Sequence, residues 1–307
     1  MDKKFPYLFI MIGASLWGII GIFVTYLYEL GFTPTQVVAI RAISAAIFLV
    51  IYVFCKNYTL LKIHITDSKY FVGTGIVSIV FFNWCLFNAI QETSISIAAI
   101  LLYTAPAFVT ILSSVLFKEA LTSRKVIALI VTLVGCSLVI GIFPSSNETI
   151  SFIGFLFGLG SGLFYALYTI FGKFALKKYD SLTVTVYTFI FAAVAITPFS
   201  NLFQSITLFS TTKVWISVIG LGLFSTMLAY IMYTKGLQYV ESSRASIIAT
   251  VEPVVASILS FIIFQEKLVF WQYIGILMVI TAVIIVQESP KKNRTSIIQK
   301  AHDISKN

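Results

Sequence analysis

Residues 246–268 read SIIATVEPVVASILSFIIFQEKL, an almost wholly apolar run that holds a carboxyl, Glu252, directly before a proline, Pro253. A charged side chain in hydrocarbon costs at least about 2.5–3.5 kcal/mol on insertion scales. Glu252 is therefore expected to face a cavity, to find a partner, or to carry a proton. Its chemistry would be proton or cation coupling, or the anchoring of an ammonium group. The alternative is a structural carboxyl, paired with a base or donating a hydrogen bond when neutral. Pro253 and Pro106 each remove a backbone donor and free the carbonyl four residues back, Ala249 and Leu102. Those carbonyls can accept from a bound solute, or the weakened turns can act as hinges or simply improve packing. Arg41 could bind a carboxylate but reads rather as a snorkelling or helix-to-helix structural arginine. Glu119 and Glu266 close their own apolar runs, where they would cap a neighbouring helix or pair with a lysine such as Lys118 or Lys267. Asn83 and Asn88 are costly in lipid and are expected to face a protein interior. No GxxxxGK[ST] or HExxH motif is present, and His64 and His302 fall in a connection and the tail. No cofactor, metal or catalytic residue is expected.

The elements that must hold these groups follow from composition. The chain has 307 residues, 59% of them hydrophobic and 11% charged, and a mean hydropathy of +0.98. A soluble chain carries about 25% charged residues, so the solvent here must be lipid. A helix needs roughly 20 apolar residues to cross a bilayer. Ten such runs occur, near 6–28, 34–55, 69–91, 95–117, 126–143, 152–174, 181–200, 213–236, 244–264 and 269–287. They are continuous rather than alternating, which excludes outer-membrane strands. The first run is too long for a signal h-region and shows no small-x-small cleavage site, so it reads as a retained helix. Cys55, Cys85 and Cys136 lie on or inside runs and read as small apolar residues rather than disulfide partners.

The net charge of +9 is a topology signal rather than a nucleic-acid footprint. With both termini cytoplasmic, only Lys213 and Lys267 of the 21 lysines and arginines fall outside, Arg41 lies within a run, and the rest are inside. The sequon Asn147-Glu148-Thr149 sits in a short connection and reads as a chance match.

The two halves repeat at a constant offset of 147 residues: Pro106 with Pro253, Phe117 with Phe264, Glu119 with Glu266, Gln91 with Gln238, and Ile111-Leu112-Ser113 with Ile258-Leu259-Ser260. Across 91–121 and 238–268, eleven of thirty-one positions are identical without a gap. Five spans per half, an odd number, make the second half enter the membrane in the opposite sense. Inverted repeats of this kind are common in secondary transporters, with sites near the midplane where the repeats meet. Glu252 breaks the pattern, because its counterpart is Ala105.

The run AILLYTAPAFVTILSSVLFKEALTSRKVIALIVTLVGCSLVI, its counterpart ASIIATVEPVVASILSFIIFQEKLVFWQYIGILMVITAVIIV and the opening GASLWGIIGIFVTYLYELGFTPTQVVAIRAISAA resemble the drug/metabolite transporter superfamily, and within it the ten-helix EamA-type proteins. The resemblance implies an all-α polytopic protein of ten transmembrane helices in two inverted repeats of five (5+5). It also implies a central cavity bordered by spans 1, 3, 4, 6, 8 and 9, with spans 5 and 10 peripheral. Trp17, Trp84, Tyr103, Tyr165 and Tyr230 fall on those spans and, with Thr250, become candidates for holding a solute. The stripe Gly154, Gly158, Gly162 would let the sixth span approach a neighbour closely.

The domain reading is 1–147 for the first repeat, 148–288 for the second, and 289–307 for a basic cytoplasmic tail. The expected function is alternating-access transport, with export of small polar metabolites such as amino acids or related amines and carboxylates. Uptake, or efflux of drugs and cations, would use the same architecture; a scaffold or membrane enzyme is the alternative of another class. Expected partners are the bilayer and a small-molecule substrate, with proton coupling and a homodimer left open and nucleic acid excluded. The expected location is a prokaryotic plasma membrane.

Overall fold

A computed structural model describes residues 5–141 and 151–287; the sequon at Asn147, His302 and the basic tail lie outside the described residues. The described chain is helical, with no strand. Among the described residues ten helices are long and apolar enough to cross a membrane: α1 (Phe5–Glu29), α2 (Pro34–Leu61), α3 (Ile65–Glu92), α4 (Ile95–Leu116), α5 (Ser123–Ile140), α6 (Phe152–Ala175), α7 (Ser181–Phe199), α8 (Thr212–Tyr239), α9 (Ser242–Ile263) and α10 (Phe270–Gln287). Polar caps start several of them. Thr33 and Gln36 form a reciprocal capping box on α2, and Ser94, Thr122, Ser151 and Asp180 accept first-turn amides of α4 to α7 in turn.

Five spans are interrupted where the site is built, α1 among them at Ile19. α4 breaks at Tyr103–Thr104 and α9 at Thr250, in each case just before the proline. α3 and α8 each contain a π-helical stretch, Val72–Val80 and Gly220–Leu228. Each stretch carries a Gly-x-Gly, Gly73-Thr74-Gly75 and Gly220-Leu221-Gly222, again 147 residues apart. A Cβ at Gly75 would come within 2.4 Å of the Thr188 carbonyl, and one at Gly222 within 2.3 Å of Ser44 Oγ. The widened turns thus lie where α3 meets α7 and α8 meets α2.

The halves are interlocked. α1 packs on α8 and α9, while α6 packs on α3 and α4, so the first helix of each half is held by the other. The stripe on α6 meets α4 closely: a Cβ at Gly158 would collide with Leu101 and one at Gly162 with Thr104 Oγ1 at 2.8 Å. α5 and α10 pair at one edge through Gly135 and Gly275.

Candidate functional site

A cavity of about 310 Å³ lies between α1, α2, α3, α4 and α9. Its walls include Trp17 and Val24 of α1, Arg41 of α2, Asn83 of α3, Leu102 of α4 and Glu252 of α9. Tyr28, Pro34 and Ile90 also line it, at or near the ends of α1–α3 remote from the N-terminus.

Glu252 stands at the break of α9, half-buried, at the boundary between this cavity and a closed layer of aromatic and hydroxyl groups. Tyr165 Oη of α6 donates to its Oε2 at 3.2 Å. Beneath it, Trp17 packs against Tyr230 and Tyr233 with centroids 4.9 Å away in each case. Tyr168 shares a hydrogen bond with Thr234 (2.6 Å), and Tyr233 shares one with Thr169 (2.7 Å). Voids of about 20 and about 10 Å³ lie in this layer.

Two buried donors of cavity-lining residues have no hydrogen-bond partner among the described residues: Trp17 Nε1 and Arg41 Nε. Unpartnered buried donors cost about 1–3 kcal/mol each. Both residues, one of them cationic, line the same cavity as Glu252.

The cavity therefore gathers Glu252, Trp17 and Asn83 from the expected set; Asn83 Nδ2 also donates to the Ile79 carbonyl of its own helix at 2.7 Å. Tyr103, Tyr165, Thr250 and Pro106 line the small void on the far side of Glu252, and Tyr230 lies in the aromatic layer. Pro253 is buried beside Glu252. Trp84 does not join them: it is 53% exposed and lies edge-on to Phe157 on the outer surface. The π-helical stretch before it shifts the angular phase of α3, so that Asn83 faces in and Trp84 faces out. Asn88, half-buried, donates to the Trp84 carbonyl of its own helix at 2.8 Å and is not on the cavity wall.

The cavity wall differs from the expected span set as well. α2 contributes Arg41, while α6 and α8 line only the closed aromatic layer. Tyr168 and Tyr233, polar aromatics visible in their runs, complete that layer with Thr169 and Thr234, which were not among the candidates. Their signal was the i, i+3, i+4 spacing of Tyr165, Tyr168 and Thr169, which faces Tyr230, Tyr233 and Thr234 on α8.

The opposite end is closed. Glu119, just past α4, accepts from the backbone amides of Ser242 (2.6 Å) and Ser243 (3.1 Å) and from the Ser243 hydroxyl, capping α9. Burial alone would raise this carboxyl, but the Ser243 hydroxyl, the two amides and the charge of Lys125 hold it below the usual carboxylate value. Lys125 Nζ lies 3.1 Å from Glu241 and 3.8 Å from Glu119. Lys173 of α6 donates to the Leu237 and Val240 carbonyls at the end of α8, both at 2.7 Å. Among the described residues Glu266 forms no such cap; the Ser260 hydroxyl of the preceding helix donates to it.

Among the described residues no cluster of His, Cys, Asp or Glu could hold a metal. The chain matches the model of the EamA-like transporter family twice, over residues 4–141 and 152–287. It is 34% identical to an uncharacterized transporter of Archaeoglobus fulgidus over 64% of this chain and 68% of that one. It is 26% identical to the uncharacterized transporter YwfM of Bacillus subtilis, over 94% of this chain and 96% of that one. A solved crystal structure shares the fold with a TM-score of 0.76 at 14% identity, covering 91% of this chain and 95% of that one.

Proposed function

The chain belongs to the EamA-like transporter family, and from that premise we propose that it is a secondary transporter working by alternating access on small polar metabolites, in the export direction. The observation that carries this is the cavity between the halves, with Glu252 at its base, Arg41 on its wall, and the Glu119 side sealed. The two repeats of five spans are inverted with respect to each other, and both termini lie in the cytoplasm. The cavity is then open to the outside, and the export cycle returns through this state to reload.

The charges define the cargo. A carboxylate would meet the Arg41 guanidinium and the Trp17 N–H, and an ammonium group would meet Glu252. Amino acids and related amines and carboxylates fit both, and the space is at the small end of ligand-pocket volumes, about 300–1,000 Å³. Glu252 exchanges a proton for the cationic group, which couples flux to the proton gradient. Because Ala105 occupies the matching place in the first repeat, coupling is carried by one half only.

The test is reconstitution. Amino acids, amines and nucleosides are screened by thermal shift, and the hits are assayed in liposomes at two pH values. Wild-type protein is expected to move at least one hit with a pH-dependent rate, and Glu252→Gln to insert normally but lose the pH dependence. Undiminished proton-linked flux in Glu252→Gln sinks the coupling; no flux of any hit in wild type leaves a scaffold instead.

A further inference from the structure

The two ends of the molecule use equivalent residues differently. Offset by 147 residues, Glu119 corresponds to Glu266, Ser243 to Ser96 and Ser242 to Ile95. The turn that aims the two carboxylates is the same at both ends. Lys118 and Gln265, each just before its glutamate, are left-handed, with φ of 55° and 57°. The Glu119 amide donates to the Ser113 carbonyl (3.3 Å) and the Glu266 amide to the equivalent Ser260 carbonyl (3.4 Å). A non-glycine residue in this backbone region is uncommon, so its repetition marks a shared device. Yet Glu119 caps α9, whereas Glu266 is exposed and, among the described residues, no hydrogen bond joins it to α4.

We propose that Glu119 and Glu266 are latches used in turn: when Glu119 releases the start of α9, Glu266 takes the amides of Ile95 and Ser96 and the Ser96 hydroxyl, and closes the cavity at its other end. The inference rests on the alternating-access reading and on the inverted relation of the halves. The exchange is geometrically economical, because both carboxylates are already aimed by identical turns and only the partner helix has to move. It is also unequal. Lys125, beside the Glu119 latch, corresponds to Gln272, and Arg244, which holds Glu241 at 2.7 Å, corresponds to Ile97. The Glu119 latch has cationic support that the Glu266 latch lacks, so the state with the Glu119 end closed is the favoured one.

Paired cysteines test this in membrane vesicles, with Cys55, Cys85 and Cys136 replaced by alanine. Glu119→Cys with Ser243→Cys is the reference pair, and Glu266→Cys with Ser96→Cys is its counterpart. Both pairs are expected to cross-link on oxidation, the second in a minority of molecules that rises several-fold when Lys125→Gln is added. A reference pair that cross-links while its counterpart does not, even with Lys125→Gln, overturns the latch. Labelling the single variants Glu119→Cys and Glu266→Cys with an impermeant maleimide separates the two levels. Labelling from opposite faces upholds the inverted arrangement, so a missing cross-link then counts against the latch alone; labelling from one face removes the inverted arrangement itself. Should the double variants not accumulate, Val24→Cys on the cavity wall reports the same equilibrium. Glu119→Gln is expected to lower its reactivity toward the outside maleimide and Glu266→Gln to raise it. Shifts of the same sign, or none, overturn the proposal.

Discussion

At the residue scale, the cavity wall holds its donors unspent. Among the described residues no acceptor pairs Arg41 Nε, and a buried donor left unsatisfied costs about 1–3 kcal/mol. Arg41→Met keeps the length of the side chain and removes that donor. The unliganded variant is expected to melt no lower than wild type, while the thermal shift given by carboxylate-bearing hits disappears. A variant that melts lower and still responds to those hits would make Arg41 a structural arginine. Glu252 was legible in the sequence because a carboxyl in an apolar run has few uses. Arg41 was equally visible, yet its place on the wall was not, since that depends on the rotation of α2 against α1. Trp84 lies off the cavity wall for a related reason: the π-helical stretch Val72–Val80 changes the phase of everything that follows it on α3, and composition carries no sign of it.

At the scale of elements, the breaks of α4 and α9 and the widened turns of α3 and α8 occur in matched pairs. α4 and α9 are broken before Pro106 and Pro253, and if those breaks are hinges, Pro106→Ala and Pro253→Ala are expected to slow turnover in liposomes without lowering the melting temperature. Normal cycling in both variants would leave the prolines with packing alone. The Gly-x-Gly pairs serve contact between helices. Gly75→Ala would press a methyl to 2.4 Å from the Thr188 carbonyl, and overpacking of this kind costs about 1–3 kcal/mol. At Gly21 no atom lies within 4 Å of an added Cβ, so Gly21→Ala is expected to melt at or above the wild-type temperature, alanine being favoured over glycine in a helix by about 1 kcal/mol. Thermal unfolding of the two variants in detergent separates a contact glycine from a free one. The ten spans could be read from length and hydropathy. The π-helical stretches could not, although their glycines repeat at the same 147-residue offset as Pro106 and Pro253.

At the scale of the whole molecule, the halves are not separable bodies. Gly13 of α1 lies against Ala229 and Tyr233 of α8, and Gly18 against the Glu252 carbonyl and Val255 of α9. Expressed as separate chains, residues 1–147 and 148–307 are therefore expected to co-purify and recover flux together, with neither half stable in detergent alone. A first half that stays folded and monodisperse without the second would contradict the interlock. The repeat itself was legible from its constant offset; the exchange of first helices was not, because each half has the same pattern whichever partner its first helix chooses.

That exchange sets a timetable for biosynthesis. α1 leaves the ribosome before the nine spans that follow it, and its partners on α8 and α9 come roughly 200 residues later, a delay on the order of ten seconds or more at about 5–20 residues per second. Throughout that interval the close-contact face at Gly13 and Gly18, shaped to meet protein backbone, faces lipid or the membrane-insertion machinery. The nascent chain thus holds its first helix in waiting, and the site around Glu252 is completed only when the ninth span arrives to meet the first.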